Sequence, residues 1–178
     1  MTTGEITLVL GGARSGKTRH GMMLAEQYRQ FGLRTFYVAT AEAHDEEMQD
    51  RIDRHKEERD ALWTTIDAPL KLAAAIDEHS NAETCLLIDC LTLWATNLML
   101  GNKDIDGETA ALANRLKDAS GPVILVSNEV GLGIVPDNAM ARRFRDIAGR
   151  LNQDIAAIAD RVILVTAGLP MVLKGSSD

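Results

Sequence analysis

Gly11, Gly16, Lys17 and Thr18 are the residues whose types and spacing most directly offer chemistry. They lie in LVLGGARSGKT, Leu8 to Thr18, where Gly11, four intervening residues and Gly16-Lys17-Thr18 fit the phosphate-binding P-loop pattern. Glycines let backbone N–H groups approach phosphate oxygens, Lys17 brings positive charge, and Thr18 brings a hydroxyl for Mg²⁺. Gly12, Ala13, Arg14 and Ser15 complete the loop as candidate nucleotide contacts, with Arg14 either adding charge near the phosphates or pointing to solvent. A dinucleotide fingerprint fails, because Ala13 occupies the place of its second glycine.

A carboxylate and an imidazole extend this chemistry. Cys85 to Ile88 is a compact apolar run that delivers Asp89 at its end. An acid there, downstream of a P-loop, suits the holding of Mg²⁺ or its water ligands; it also suits capping of a helix from Leu91, and the two roles can hold together. His55 falls on a semi-apolar stripe with Met48 and Ile52, and that spacing alone suits a structural histidine better than a catalytic one. His20, His44 and His79 lie without companions at metal-ligand spacing, so no metal beyond Mg²⁺ is expected. Glu129, after a buried run and amid glycines, is placed either to contact substrate or to order its loop.

These groups require strands that end together. Ile6 to Leu10 reads as a buried strand feeding the loop, and the next helix shows Met22, Met23, Leu24, Tyr28 and Phe31 at near-helical spacing before Gly32. TFYVA, Thr35 to Ala39, is a second strand that opens at Thr40-Ala41 into a loop beside the first. An acid-fronted polar helix is expected over 45–62, then a short strand over 62–66 and a helix opening at Pro69. Leu91 to Leu100 is apolar enough for a buried helix. A surface helix near Glu108 to Ala119, a strand from Val123 to Val126 and a long helix from about Ala139 to Ala159 follow. Val162 to Thr166 then turns through Gly168-Leu169-Pro170 into an antiparallel edge. Alternating strands and helices predict an α/β fold, a mostly parallel sheet covered on both faces with that hairpin at one edge.

Length and charge narrow the rest. The 178 residues suit one domain, 1–178, and the net charge of −7 argues against nucleic acid, whose partners concentrate positive charge. No basic-then-apolar start and no apolar run of about 18 residues are found, so a cytoplasmic protein without a membrane span is expected. Cys85 and Cys90 flank the run that ends at Asp89 and read as core thiols.

In order along the chain, GGARSGK, YVAT, EEMQDRIDRHKEER, LLIDCLTLWATNL, VSNEVGLGIVP and RRFRDIAGRLNQ closely resemble the bifunctional adenosylcobinamide kinase/adenosylcobinamide-phosphate guanylyltransferase family of cobalamin biosynthesis. The resemblance covers nearly the whole chain and implies a RecA-like P-loop NTPase fold, a homotrimer and two activities. The first is phosphorylation of the aminopropanol hydroxyl of a corrinoid, adenosylcobinamide, by ATP or GTP. The second is transfer of GMP from GTP to that phosphate through a guanylylated histidine, giving adenosylcobinamide-GDP. By the match, His55 is that histidine, and the P-loop, Ala39, Thr40, Ala41, Lys56, Glu57, Glu58, Arg59, Asp67 and Asp89 are nucleotide contacts. Asp67 rests only on its offset from His55.

Two rivals make different demands. A regulatory GTPase requires Asn-Lys-x-Asp after a strand, whereas Asn102-Lys103-Asp104-Ile105 misses it by one position and follows a helix. A small-metabolite kinase of the shikimate-kinase kind accounts for the P-loop but leaves His55 and the Glu129 loop without a role.

Overall fold

A computed structural model describes residues 4–42 and 61–176. Seven strands form one sheet: β1 Ile6–Gly11, β2 Arg34–Ala39, β3 Trp63–Asp67, β4 Thr84–Asp89, β5 Val123–Asn128, β6 Arg161–Thr166 and β7 Leu169–Lys174. Their spatial order is β3-β2-β4-β5-β1-β6-β7. Every pairing is parallel except β6 with β7. The described helices are α1 Lys17–Gln30, α2 Leu72–His79, α3 Leu91–Leu100, α4 Ile105–Lys117 and α5 Ala139–Ile158. The helix expected over 45–62 falls, through residue 60, outside the described residues.

The strand sequences sort themselves between two cores, because successive side chains of a strand point to opposite faces. Leu8, Leu86, Ile88, Val123 and Leu125 join Leu72, Ile76, Trp94, Leu98, Leu112, Leu116, Leu151 and Ile155 on the face covered by α2 to α5. Val9, Cys85, Leu87, Ile124, Val126 and Val165 join Leu24, Ala25 and Tyr28 of α1 on the other. Central strands carrying apolar residues on both faces therefore read as continuous runs, as in LVL and LLI.

Three local expectations are corrected. The helix foreseen from Pro69 begins at Leu72, because the Pro69 carbonyl is taken by Asn97 Nδ2 at 3.0 Å and the chain there is still turning. α1 ends at Gln30, so Phe31, read as the last position of the helical spacing, is the C-cap residue, and both it and Met23 are exposed. The last hairpin turns earlier than expected, at Ala167-Gly168, both with positive φ, so Pro170 sits in β7, an edge strand that tolerates a missing N–H.

Candidate active site

β1 runs straight into the phosphate loop, and two glycines make the connection possible. A Cβ on Gly11 would stand 2.3 Å from Ser15 Oγ and 2.7 Å from the Val165 carbonyl oxygen. Gly16, the N-cap of α1, has φ +95°, a backbone region that L side chains rarely adopt. The Ser15 N–H donates to Gly12 O at 3.2 Å and closes the turn, while the His20 N–H donates to Gly16 O at 2.9 Å and starts the helix. No side chain caps α1, leaving the positive end of its dipole to the loop.

The chemical groups face this mouth. Lys17 is buried at 7% exposure, and its Nζ donates across the loop to Gly12 O at 3.1 Å. Thr18 Oγ1 donates to Asp89 Oδ2 at 3.0 Å, bringing the first turn of α1 against the end of β4. The Tyr37 hydroxyl, on β2, donates to the same oxygen at 2.8 Å. Asp89 does not cap α3: the N-cap residue is Cys90, with no side-chain cap bond. Ser15 Oγ is buried with no hydrogen-bond partner, a polar atom at the loop that a phosphate oxygen would satisfy.

These atoms fit a magnesium-bound nucleotide. The Thr18 hydroxyl and Asp89 carboxylate are hard oxygen donors, and Mg²⁺ at phosphate sites takes one or two such protein ligands, completing its octahedron from phosphates and water. The described residues contain no cluster of three or more His, Cys, Asp or Glu side chains able to hold a metal ion.

A buried polar network holds the surrounding strand ends. Asn97 Nδ2 donates to Thr40 O at 2.8 Å and to Pro69 O, joining the chain just after β2 to the chain just after β3. Thr40 Oγ1 donates to Cys90 O at 2.8 Å and accepts from the Cys90 N–H at 2.7 Å. Asn128 Nδ2 donates to Thr92 Oγ1 at 2.7 Å, and Asn152 Nδ2 of α5 donates to Asn128 O at 3.1 Å. Burial, and then the Asp89 carboxylate, push the Cys90 thiol pKa up; burial pushes Cys85 up to about 12, so neither offers a thiolate. On α1, burial and then the Arg161 charge lower the His20 pKa and favour its neutral form.

The remaining sequence candidates separate. Ala39 and Asp67 pair in register across β2 and β3, and Ala39 pairs with Asp89 across β2 and β4, so all three share the C-terminal rim of the sheet. Gly12, Ala13 and Arg14 are exposed on the phosphate loop, Arg14 with φ 55°. Thr40 is fully buried and Ala41 half-buried beyond β2. Glu129 Oε1 accepts from the Gly131 N–H at 2.5 Å, so the carboxylate orders its own loop. His55, Lys56, Glu57, Glu58 and Arg59 lie outside the described residues. Sequence reading missed Tyr37 and Asn97. A polar residue in the middle of LTLWATNLML was the available signal for Asn97; a strand tyrosine gave none.

Comparison with known proteins agrees with this arrangement. Residues 7–173 match the family described as cobinamide kinase / cobinamide phosphate guanyltransferase. The bifunctional adenosylcobalamin biosynthesis protein CobP of Pseudomonas aeruginosa is 50% identical over 170 residues, covering 94% of this chain and 96% of that protein. The bifunctional adenosylcobalamin biosynthesis protein CobU of Salmonella typhimurium is 40% identical over 182 residues, covering 94% and 98%. The flagellar accessory protein FlaH from Methanocaldococcus jannaschii, a solved structure, shares the fold alone: TM-score 0.57 at 15% identity, covering 99% of this chain and 80% of that one. The expected α/β class, a mostly parallel sheet with a phosphate loop after its first strand and an antiparallel C-terminal hairpin, is the one observed. With the match spanning nearly the whole chain, and a phosphate loop, a strand-end acid and a threonine hydroxyl brought together, the chain belongs to the cobinamide kinase / cobinamide phosphate guanyltransferase family, enzymes of cobalamin biosynthesis.

Proposed function

We propose that a single phosphate loop serves both transfers in this enzyme, and that His55 divides the second into two steps. The observation that carries the first part is the Thr18–Asp89 pair at the mouth of the loop, 3.0 Å apart, beside the buried Lys17. In the kinase step the corrinoid hydroxyl oxygen attacks the γ-phosphorus of ATP or GTP, the bond to the β–γ bridging oxygen breaks, the nucleoside diphosphate leaves, and the hydroxyl proton passes to water. Lys17 and the loop N–H groups neutralise charge on the phosphate oxygens, and Asp89 and Thr18 hold the metal position. Mg²⁺, when bound there, supplies positive charge that offsets the negative charge of the triphosphate.

In the second reaction a neutral His55 nitrogen attacks the α-phosphorus of GTP, the bond to the α–β bridging oxygen breaks, and pyrophosphate leaves. A phosphate oxygen of the corrinoid phosphate then attacks the same phosphorus, the P–N bond breaks, and adenosylcobinamide-GDP forms with the imidazole restored. The family resemblance supports His55 in this role. It supports Lys56, Glu57, Glu58, Arg59, Asp67 and Ala39 to Ala41 as nucleotide contacts, and a homotrimer as the assembly. Residues 1–178 act as one nucleotide-binding domain in the cytoplasm. Among the described residues no helix is long and apolar enough to cross a membrane.

His55→Asn tests the division of labour. The variant should retain cobinamide phosphorylation and lose covalent labelling by GTP carrying an α-phosphate radiolabel. The wild-type label should be lost in mild acid and survive alkali, as a phosphoramidate does. A labelled variant, or a wild-type label on a peptide lacking His55, overturns the role of the histidine.

A further inference from the structure

Apolar side chains are exposed on this chain on both flanks of the phosphate loop. β5 and β6 neighbour β1 on either side, and the connection after each is tied to the loop. The Glu129 N–H donates to Gly11 O at 3.1 Å, and the Gly168 N–H donates to Ser15 O at 2.9 Å. Beyond the first tie, Leu132 and Ile134 are 88% and 97% exposed, with Val130 and Val135 also exposed; beyond the second, Leu169 is 73% exposed. The longer connection is shaped by its own bonds. Glu129 Oε1 takes the Gly131 N–H, and Arg142 Nη1 donates to the Pro136 and Asp137 carbonyls at 2.9 and 2.7 Å. Asn138 then caps α5 by accepting from the Ala141 N–H. Scattered exposed aliphatics are ordinary, but four in the six positions 130–135, held next to a transfer site, form a patch of the kind that meets a ligand.

We propose that this lip, Leu132 and Ile134 with Leu169 opposite, docks the apolar edge of the acceptor's corrin macrocycle. The proposal rests on the reading that the phosphate loop is the transfer site. An acceptor hydroxyl reaches the γ-phosphorus only if the body carrying it lies over the C-terminal rim of the sheet. A corrin ring is too broad to enter a loop shaped for phosphate, so it must rest on what flanks that loop. The methyl groups that stand between the amide side chains of its rim match aliphatic side chains, and Gly133, with nothing within 4 Å of where a Cβ would stand, leaves room for close approach. A second copy of the chain is the competing occupant.

The test uses the full chain carrying Leu132→Ser with Ile134→Ser, and Phe31→Ser as a control, since Phe31 is 74% exposed at the other end of α1. Kinase rates are measured with adenosylcobinamide and ATP each varied, and the mass of the assembly by light scattering. The double variant should raise KM for the corrinoid by roughly tenfold or more through lost apolar burial, and leave KM for ATP within about twofold. Its assembly mass should match wild type, Phe31→Ser should behave as wild type, and Leu132→Met with Ile134→Val should restore the corrinoid KM. An unchanged corrinoid KM overturns the lip, as does a change of assembly mass in the double variant, which would assign the patch to a second copy. Wild-type enzyme without corrinoid-dependent turnover would instead overturn the underlying reading of the transfer site, and the lip with it.

Discussion

Asp89, the last residue of β4, and Glu129, the first after β5, stand at the ends of adjacent strands of the same sheet, yet they take different partners. Asp89 accepts hydroxyl hydrogen bonds from Thr18 and Tyr37 on one oxygen, which directs the carboxylate at the phosphate loop. Glu129 accepts a backbone N–H two residues further on, which turns its carboxylate onto its own loop. Asp89 closes its apolar run directly and Glu129 comes two polar residues, Ser127 and Asn128, after its own, but the donors brought up by other elements separate them further. The strand-end acid Asp89 is aimed at the phosphate loop because a helix N-terminus and a neighbouring strand present hydroxyls to it.

The comparison predicts a graded set of losses. Asp89→Asn should have the largest effect, about 100-fold or more in Mg²⁺-dependent turnover, because charge at a phosphoryl-transfer site is lost while shape is kept. Its melting temperature should stay near wild type, since the group faces the loop rather than the core; an unchanged rate and unchanged Mg²⁺ requirement would reduce Asp89 to a structural acid. Tyr37→Phe should act in the same direction but less, about tenfold. It removes a hydrogen bond to a charged group, worth about 1.5–3 kcal/mol, and leaves the Thr18 bond in place. The readout is the Mg²⁺ concentration giving half-maximal rate, which should rise; no change would mean that Thr18 alone orients the carboxylate. Glu129→Gln should be mildest, within about twofold, because an amide oxygen still accepts the Gly131 N–H. A collapse of either transfer in that variant would show that the Glu129 charge takes part in the chemistry and would erase the contrast with Asp89.

What the sequence made legible follows from range. Gly11 to Thr18 encodes its own backbone, so spacing alone disclosed the loop, and β4 and β5 showed as apolar runs because both of their faces are buried. Asp89 was readable as the acid closing such a run. Tyr37 and Asn97 were not, because their partners lie 52 and 57 positions away and only the strand order brings them together. The same distance effect moved the start of α2: Pro69 looked like a first-turn proline until Asn97, on α3, took its carbonyl. Glu129 was readable as a loop acid with two possible duties, and its bond from the Gly131 N–H is the contact that supports loop ordering. His55 was marked by family resemblance, since its stripe by itself suits a structural histidine.

Lys17→Ala tests the central claim that one loop serves both transfers. Cobinamide phosphorylation and GMP transfer to cobinamide phosphate should be assayed separately on the same folded preparation, its fold checked by circular dichroism. Removing the cation that meets the triphosphate should depress both reactions, each by about 100-fold or more, whichever phosphorus is attacked. GMP transfer at the wild-type rate in a variant that has lost phosphorylation, or the reverse, would contradict a shared site.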